Sequence, residues 1–176
     1  MALGTSEPLR VIACEEDLCP VLTVLGEDID ELHEFAQYIR EVFCNITFDS
    51  DIEKGMGKLK AGFKTRRHEI LYHLFRINKE VPEIINVYGQ LDNSSLGNKM
   101  SLPCTPERNR TVVGSQLTKV ADGGRKIKCE LHTKMEKIGS QKPDRIYFCA
   151  SVPEHVTINN EDLSGRIYVY KITEHV

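Results

Sequence analysis

The sequence predicts an α+β fold in which helices pack on one face of a C-terminal antiparallel β-sheet. The first observation is that three stretches in the last fifty or so residues carry apolar side chains at every second position, the period of a strand. The second is that residues 28–43, 51–63 and 65–78 carry apolar side chains at intervals of three and four, the period of a helix. An N-terminal strand–strand–helix attachment precedes these elements.

The N-terminal attachment is predicted to comprise residues 1–44. Leu9–Cys14 and Pro20–Leu25 are short apolar runs, and each run predicts a strand. Asp28–Phe43 predicts the clearest helix of the chain. Its first turn is acidic, which suits the positive end of a helix dipole.

Residues 45–176 are predicted to form a second unit, which begins with a strand at Asn45–Phe48. Asp51–Phe63 has helical spacing, although three glycines weaken this helix by about 1 kcal/mol each relative to alanine. Thr65–Asn78 predicts a firmer helix. Pro82–Tyr88 predicts a separate helical piece with proline in its first turn.

A loop insertion at about residues 90–110 separates the predicted helices from the predicted sheet. Its composition is rich in Asn, Ser, Gly and Pro, and loops of this length are usually functional or disordered. Thr111–Val120 is predicted to begin the sheet, followed by a turn at residues 121–124. The remaining strands are predicted at 125–137, 145–152 and 166–172.

The polar side chains of these last strands are predicted to form one surface of cations, aromatic rings and a histidine. Because side chains alternate along a strand, the apolar residues face the helices and the others face away. If the strands pair in sequence order, this surface is continuous. Its members are Lys126, Lys128, His132 and Lys134 on the first strand, Arg145 and Tyr147 on the second, and Tyr168 and Tyr170 on the third.

Charge is unevenly distributed in a chain of otherwise ordinary globular composition, with 40% apolar and 28% charged residues. The net charge is −3, but residues 1–60 carry −8, residues 61–146 carry +7 and the last thirty residues carry −2. A basic middle segment favours a polyanion-binding surface, because clustered cations attract phosphates. A solvated surface without such a role is the alternative.

No sequence motif predicts a metal, a cofactor or a membrane span. Phosphate-loop, dinucleotide-binding, zinc-protease and nucleophile-elbow patterns are absent from the sequence, and no histidine lies at a zinc-ligand spacing from a cysteine. The longest apolar run, Pro20–Leu25, is too short to span a bilayer, and the segment MALGTSEPLR is not typical of a signal peptide. We therefore expect a cytoplasmic protein with reduced cysteines.

Residues 45–176 combine a short strand at Ile46–Phe48, two helices and a terminal antiparallel sheet. The last two strands contain the phrases RIYF at Arg145–Phe148 and GRIYVYKITEH at Gly165–His175. This order and these phrases resemble the RelE/ParE toxin superfamily. The chain departs from that family in residues 1–44, which are additional, and in the insertion that separates the helices from the sheet.

The resemblance implies a metal-independent endoribonuclease in a prokaryotic toxin–antitoxin pair or in phage defence, with RNA or the ribosome and an antitoxin as partners. In such a reaction a base takes the proton of the attacking 2′-hydroxyl and an acid protonates the departing 5′ oxygen. His132 is the expected base, because neighbouring lysines disfavour its protonated form. Tyr147 or His175 is the expected acid. Arg145 and Lys128 would hold the phosphate, while Lys126, Lys134, Tyr168 and Tyr170 would bind RNA.

A second class of function remains open from the sequence. The same basic surface would also serve a non-catalytic module that binds nucleic acid or protein. Both interpretations assume that the basic and aromatic side chains of the last strands form one surface. The path of the backbone tests this assumption, because it shows which of these residues lie on the same face: Lys126, His132, Arg145, Tyr147 and Tyr168.

Overall fold

The computed structural model of this protein describes residues 18–176, which form an α+β fold. The helices are α1 (Leu18–Glu27), α2 (Leu32–Val42), α3 (Ile52–Met56), α4 (Phe63–Tyr88), α5 (Asn93–Gly97) and α6 (Arg110–Gln116). The strands are β1 (Ile46–Phe48), β2 (Cys104–Pro106), β3 (Thr118–Val120), β4 (Lys126–Lys128), β5 (Leu131–Lys134), β6 (Arg145–Cys149), β7 (Thr157–Ile158), β8 (Glu161–Asp162) and β9 (Ile167–Thr173).

Five strands form one mixed sheet in the order β1-β9-β6-β5-β2. β1 runs parallel to β9, whereas the pairs β9–β6, β6–β5 and β5–β2 are antiparallel. β3 with β4 and β7 with β8 form two separate two-stranded ribbons. The predicted antiparallel meander is therefore present in β5, β6 and β9, but β4 lies outside this sheet.

The main hydrophobic core lies between one face of the sheet and the helices. Helix α4 contributes Ile70, Leu74 and Ile77, all fully buried, at helical spacing. Strand β6 contributes Ile146 and Phe148 from the facing side of the sheet. Burying each such side chain contributes about 1.5–3 kcal/mol, so this interface is the chief source of stability for the sheet.

A β-bulge explains an irregularity in the apolar pattern of β9. Apolar residues occupy alternate positions at Ile167 and Val169, but the next one is Ile172 rather than the residue at 171. The register between β6 and β9 shifts after Val169, and Tyr170 is the residue that the pairing skips. One extra residue in a strand shifts by one position the alternation of its side chains between the two faces of the sheet. Ile172 therefore returns to the core, while Lys171 lies on the opposite face.

The face of the sheet opposite the helices is also covered, so the predicted open basic surface is wrong. Val113 and Leu117, in and just after α6, pack against Tyr147. Ile127 of the β3–β4 ribbon packs in a cluster with Tyr168. The alternation of a strand distinguishes its two faces, but it does not indicate what covers the polar one. Buried residues of the expected surface are His132, Arg145, Tyr147 and Tyr168, which are 2%, 8%, 0% and 2% exposed.

The two helices predicted at Thr65–Asn78 and Pro82–Tyr88 are one continuous helix, α4. Pro82 has no N–H to donate to the carbonyl of Asn78, and proline usually breaks the interior of a helix. Here Nδ2 of Asn45 donates to that carbonyl at 3.2 Å. An external donor thus satisfies the carbonyl that Pro82 leaves free.

The N-terminal attachment is helical where the structure describes it. The strand predicted at Pro20–Leu25 is wrong, because these residues lie within α1, and a short apolar run does not distinguish a buried strand from a buried helix. The helix predicted at Asp28–Phe43 is confirmed in the shorter form of α2. Helix α1 packs closely on α4, since an added Cβ at Gly26 would collide with Cδ1 of Leu71. The strand predicted at Leu9–Cys14 lies outside the described residues.

The loop predicted at about 90–110 contains two elements of regular structure. Asp92 caps α5, because its carboxylate accepts hydrogen bonds from the N–H groups of Ser94 and Ser95 at 2.9 and 3.0 Å. Strand β2 then pairs with β5 at the edge of the sheet. The insertion therefore extends the sheet.

The strand predicted at Thr111–Val120 is a helix, α6, followed by the short strand β3. The side-chain oxygen of Asn109 accepts hydrogen bonds from the N–H groups of Thr111 and Val112, which caps the helix. The strand predicted at Arg125–Lys137 is two strands that belong to different sheets. β4 joins the ribbon that covers the sheet, and only β5 joins the sheet itself.

Phe148→Ala should lower the free energy of unfolding by about 3–5 kcal/mol, because the ring is fully buried between the sheet and the helices. Urea denaturation measures this change. Ile138→Ala is the matched control, since Ile138 is 48% exposed, and its effect should stay within about 0.5 kcal/mol. Equal effects of the two substitutions would show that the faces of β6 have been assigned wrongly.

Candidate functional site

His132, Arg145 and Tyr147 form a buried polar cluster on the sheet face beneath α6. Strands β5 and β6 pair His132 directly with Tyr147, and the two ring centroids lie 5.3 Å apart. Nη1 of Arg145 lies 3.3 Å from the hydroxyl of Tyr147 and 3.2 Å from Oε2 of Glu107. Strand pairing thus brings together three of the four side chains predicted to be catalytic.

Burial sets the protonation states within this cluster. Burial, followed by the nearby charge of Arg145, lowers the pKa of His132 to about 4, so the imidazole is neutral at neutral pH. Burial also raises the pKa of Tyr147, so its phenol stays protonated. A neutral His132 was expected from neighbouring lysines, but Lys134 makes only a minor contribution to the lowered pKa.

The cluster is closed to solvent in this structure. His132 and Tyr147 are 2% and 0% exposed, so the prediction that they contact RNA directly is wrong for this conformation. Within residues 18–176, Nδ1 of His132 and Nε of Arg145 are buried without a hydrogen-bond partner. These side chains are therefore held in place by packing as much as by polar contacts.

Tyr147 connects the buried cluster to the C-terminal segment. Its hydroxyl accepts a hydrogen bond from the N–H of Val176 at 3.4 Å, and Val176 packs in the same apolar cluster. This contact holds His175, the fourth residue predicted to be catalytic, next to the cluster. Partial burial, followed by Arg145 and Lys142, lowers the pKa of His175.

His175 lines an open cleft of about 440 Å³ between α3 and the end of β9. We call it the lysine cleft, because three lysines from two distant segments border it. Glu174, like His175, comes from the residues after β9. The functional side chains of the lysine cleft are Lys54 in α3, Lys58 just after α3, Tyr170 and Lys171 from β9, and Glu174 and His175.

Two of the lysines that border the lysine cleft form no ion pair with another described residue. Among the described residues, Lys54 and Lys58 have no ion-pair partner. Nζ of Lys171 donates to the carbonyl of Gln116 at 2.6 Å, and burial followed by the charge of Lys58 lowers its pKa. Asp51 and Glu174 line the same cleft, so acidic and basic groups are both available.

Gly55 allows α3 to approach the end of β9. An added Cβ at Gly55 would lie 2.8 Å from the carbonyl oxygen of Ile172, closer than such contacts occur. Gly55 lies between Lys54 and Lys58 in the chain, so this approach brings both lysines to the cleft. The sequence predicts only a weak helix at this glycine, whereas the structure gives it a packing role.

Asp49 forms a buried floor beneath the lysine cleft. Its carboxylate, 1% exposed, accepts a hydrogen bond from the hydroxyl of Tyr168 at 2.6 Å and contacts Nζ of Lys119 at 2.7 Å. Burial and this carboxylate raise the pKa of Tyr168. Tyr168 was predicted to stack on RNA bases, but its ring and hydroxyl are committed to the interior.

The other residues predicted to bind RNA lie in three separate places. Lys126 and Lys128 are exposed on β4, outside the main sheet. Lys134 is half-buried at the end of β5. Tyr170 is half-buried in the lysine cleft, where Nζ of Lys171 lies 4.9 Å from the centre of its ring.

The sequence prediction missed Lys54, Lys58, Lys171 and Glu107. Lys54 and Lys58 are four residues apart and so share one face of the helix predicted there, which is a detectable but common pattern. Lys171 lies where the apolar alternation of β9 breaks, and this break is a usable signal. We find no sequence signal for Glu107, whose position depends on the pairing of β2 with β5.

Neither a metal site nor a membrane-spanning helix is found in the described part of the chain. No group of three His, Cys, Asp or Glu side chains within residues 18–176 could hold a metal ion. No helix in that range is long and apolar enough to cross a bilayer.

Comparisons with protein-family models, curated proteins and solved structures gave no match.

Tyr168→Phe should lower the free energy of unfolding by about 1.5–3 kcal/mol, because it removes a hydrogen bond to the buried carboxylate of Asp49. Tyr170→Phe is the matched control, since Tyr170 is half-buried and its change should stay near 0.5 kcal/mol or below. Urea denaturation at pH 7 compares the two variants. A cost for Tyr168→Phe no larger than that of the control would contradict the role of this hydrogen bond.

The folded protein should lose stability as pH falls from about 6.5 to 4. Burial is the main cause that lowers the pKa of both His73 and His132 to about 4, against about 6.5 in an unfolded chain. In that window the unfolded chain binds protons that the folded chain does not, at a cost on the order of 2–3 kcal/mol per histidine by pH 4. Above pH 6.5 neither group contributes.

Chemical denaturation between pH 7.5 and pH 4 measures this dependence. His132→Gln should remove roughly half of the histidine contribution to the slope. Ile138→Ala, a change at an exposed residue that does not titrate, should leave the slope unaltered. An unchanged slope in His132→Gln would mean that His132 is not buried in its neutral form.

Proposed function

We propose that this protein is a metal-independent, toxin-like endoribonuclease that cuts RNA in the lysine cleft. The observation that carries the proposal is the position of His175. It borders an open cleft together with Lys58 and Lys171, and it is held there by the contact between Tyr147 and Val176. A histidine beside lysines that can bind a phosphate is suited to proton transfer at that phosphate.

His175 is the proposed general base. Partial burial, with Arg145 and Lys142, lowers its pKa, so its imidazole is free to accept a proton at neutral pH. As the 2′ oxygen of the ribose forms a bond to phosphorus, its proton passes to His175. The bond from phosphorus to the 5′ oxygen breaks, which leaves a 2′,3′-cyclic phosphate and a 5′-hydroxyl.

Lys171 is the proposed general acid for the departing 5′ oxygen. Burial and the nearby charge of Lys58 lower its pKa, so it gives up a proton more readily than an ordinary lysine. Tyr170 is less suited, because burial raises the pKa of its phenol. Lys54 and Lys58 would stabilise the charge that develops on the phosphate, a usual source of large rate effects.

The buried cluster is proposed to position His175 rather than to contact RNA. The hydroxyl of Tyr147 accepts the N–H of Val176, and Arg145 donates to the same hydroxyl. Glu107 in turn orients Arg145. This assignment replaces the expected direct roles of His132, Arg145 and Tyr147, since a side chain without solvent access does not reach a substrate.

This proposal draws on the resemblance to RelE/ParE toxins. β1, α3, α4, β5, β6 and β9 occur in that order along the chain, with α5, β2, α6, β3 and β4 between α4 and β5 and the β7–β8 ribbon between β6 and β9. RNA is the proposed substrate, either free or on the ribosome, and an antitoxin is a proposed partner.

Purified protein should cut RNA in the presence of EDTA, alone or with translating ribosomes, and leave 2′,3′-cyclic phosphate ends. His175→Ala should lower the cleavage rate by about 10²–10⁴-fold, the usual cost of losing a general base, without changing the melting temperature. His155→Asn is the matched control, because His155 is an exposed histidine outside the residues that line the cleft, and asparagine tolerates its φ of 60°. Mapping of RNA ends after induction in bacteria gives the same comparison in cells.

Tyr147→Phe separates the positioning role from the catalytic one. It keeps the packed ring and removes the hydroxyl that holds Val176, so kcat should fall while KM changes little. RNA left intact with and without ribosomes, or cleavage that EDTA stops, would contradict the nuclease proposal. A non-catalytic binding module would then be the remaining interpretation.

A further inference from the structure

A second concave surface lies outside the lysine cleft, on the insertion between the helices and the sheet. Two hollows of about 550 and 350 Å³ share Leu91 and Asn93 in their linings, and we treat them as the two halves of one groove. We call it the insertion groove. Its basic side chains are Arg108, Arg110, Lys126 and Lys128.

Strand β4 directs two lysines into the insertion groove. Ile127 is fully buried in the apolar cluster beneath β4, so Lys126 and Lys128 point to the outer side. Both are exposed, and neither has an ion-pair partner within residues 18–176. β4 is held against β3 by a turn in which Gly123 and Gly124 have φ angles of 65° and 75°, a region that favours glycine.

Two arginines extend the positive charge along the insertion groove. Arg108 is exposed and has no ion-pair partner among the residues described. The side chain of Arg110 is 82% exposed, and its Nη1 approaches Oε2 of Glu130 only to 3.8 Å. Their guanidinium groups are therefore available to a ligand.

The acidic residues of the groove are bound by other groups of the protein. Asp92 caps α5, Glu107 contacts Arg145 at 3.2 Å, and Oε1 of Glu130 accepts a hydrogen bond from Nδ2 of Asn93 at 2.8 Å. Oε2 of Glu130 is buried without a hydrogen-bond partner among the described residues, 3.8 Å from Nη1 of Arg110. All three lie in the half that carries the arginines. Among the described residues, no acidic side chain lines the half that carries the two β4 lysines.

The lysine-bearing half has an apolar floor and polar walls. Leu91, Leu96 and Pro153 supply the floor. Gln90 and Ser151 supply an amide and a hydroxyl, and Nε2 of Gln90 donates to Oγ of Ser151 at 3.2 Å. An unpaired nucleotide matches this combination, because its base covers apolar surface while its phosphate meets cations. A duplex hides the faces of its bases, so it makes less use of such a floor.

We propose that the insertion groove binds single-stranded RNA away from the bond that is cut; the choice of RNA rests on the proposed function. Cys149 and Ser151, at the end of β6, border the groove, whereas His175, after β9, borders the lysine cleft. β6 and β9 are antiparallel, so the two sites lie at opposite ends of the paired strands. The five residues of β6 span about 15 Å, and an RNA that fills both sites needs several nucleotides.

Binding is measured by fluorescence anisotropy with His175→Ala protein and a labelled single-stranded RNA, so that cleavage does not interfere. In this background, the combined change Arg108→Gln, Lys126→Gln and Lys128→Gln should weaken binding. It should reduce the log–log salt slope by about 2, taking roughly 0.7 for each phosphate that is no longer neutralised. The control combines Lys60→Gln, Lys137→Gln and Arg166→Gln, which removes the same charge from exposed positions outside the groove and should keep most of the affinity.

Equal decreases in affinity in the two triple variants, at equal melting temperatures, would overturn the groove as a site. An acidic peptide and unlabelled RNA are also compared as competitors of the labelled RNA. If the peptide displaces the labelled RNA as effectively as unlabelled RNA does, the assignment of the groove to nucleic acid is overturned. Failure of the proposed nuclease is distinguishable from both results. In that case the wild-type protein leaves RNA intact, yet still binds it through the groove.

Discussion

The buried carboxylate of Asp49 is the interaction on which the rest of this structure depends. It accepts the hydroxyl of Tyr168 from the main sheet and the ammonium of Lys119 from the β3–β4 ribbon. The N–H of Asp49 also donates to the carbonyl of Val169, and its side chain accepts the N–H of Asp51 at the start of α3. A buried charge is costly unless it is paired, so sheet, ribbon and helix are stable in one mutual arrangement.

The fold class was predictable because the spacing of apolar residues in each long helix or strand matches the face that the element buries in the structure. Ile146 and Phe148 alternate in β6, and the structure packs both against the helices. The same alternation left Arg145 and Tyr147 on the other face, where they resembled a solvent-facing surface. Nothing within a strand indicates that a distant helix, α6, will cover it, and the Asn109 cap that begins α6 is a weak local signal. The polar side chains are tolerated there because they hydrogen-bond to each other.

The candidate site was only partly predictable, because segments far apart in the chain build it. His175 and Tyr170 were identified from the terminal strand, where aromatic and basic residues are concentrated. Lys58 follows a short helix whose glycine gave no sign of close packing. The role of Lys171 depended on a shift in register that simple alternation does not anticipate. Tertiary contacts therefore decide which cations face the cleft, and local periodicity alone does not contain that information.

The β-bulge at Tyr170 divides β9 into two parts that follow different alternations. The first part packs Ile167 and Val169 in the core, and the second part packs Ile172 there while Lys171 lies on the opposite face and borders the lysine cleft. The skipped residue absorbs a change in alternation locally, so side chains beyond it can be redirected without displacing the core. Selection can therefore alter the chemistry at this end of the strand while the sheet is conserved. Relatives of this chain are expected to share the core residues of β9, including Ile172, and to diverge at Lys171 and in the residues after the strand.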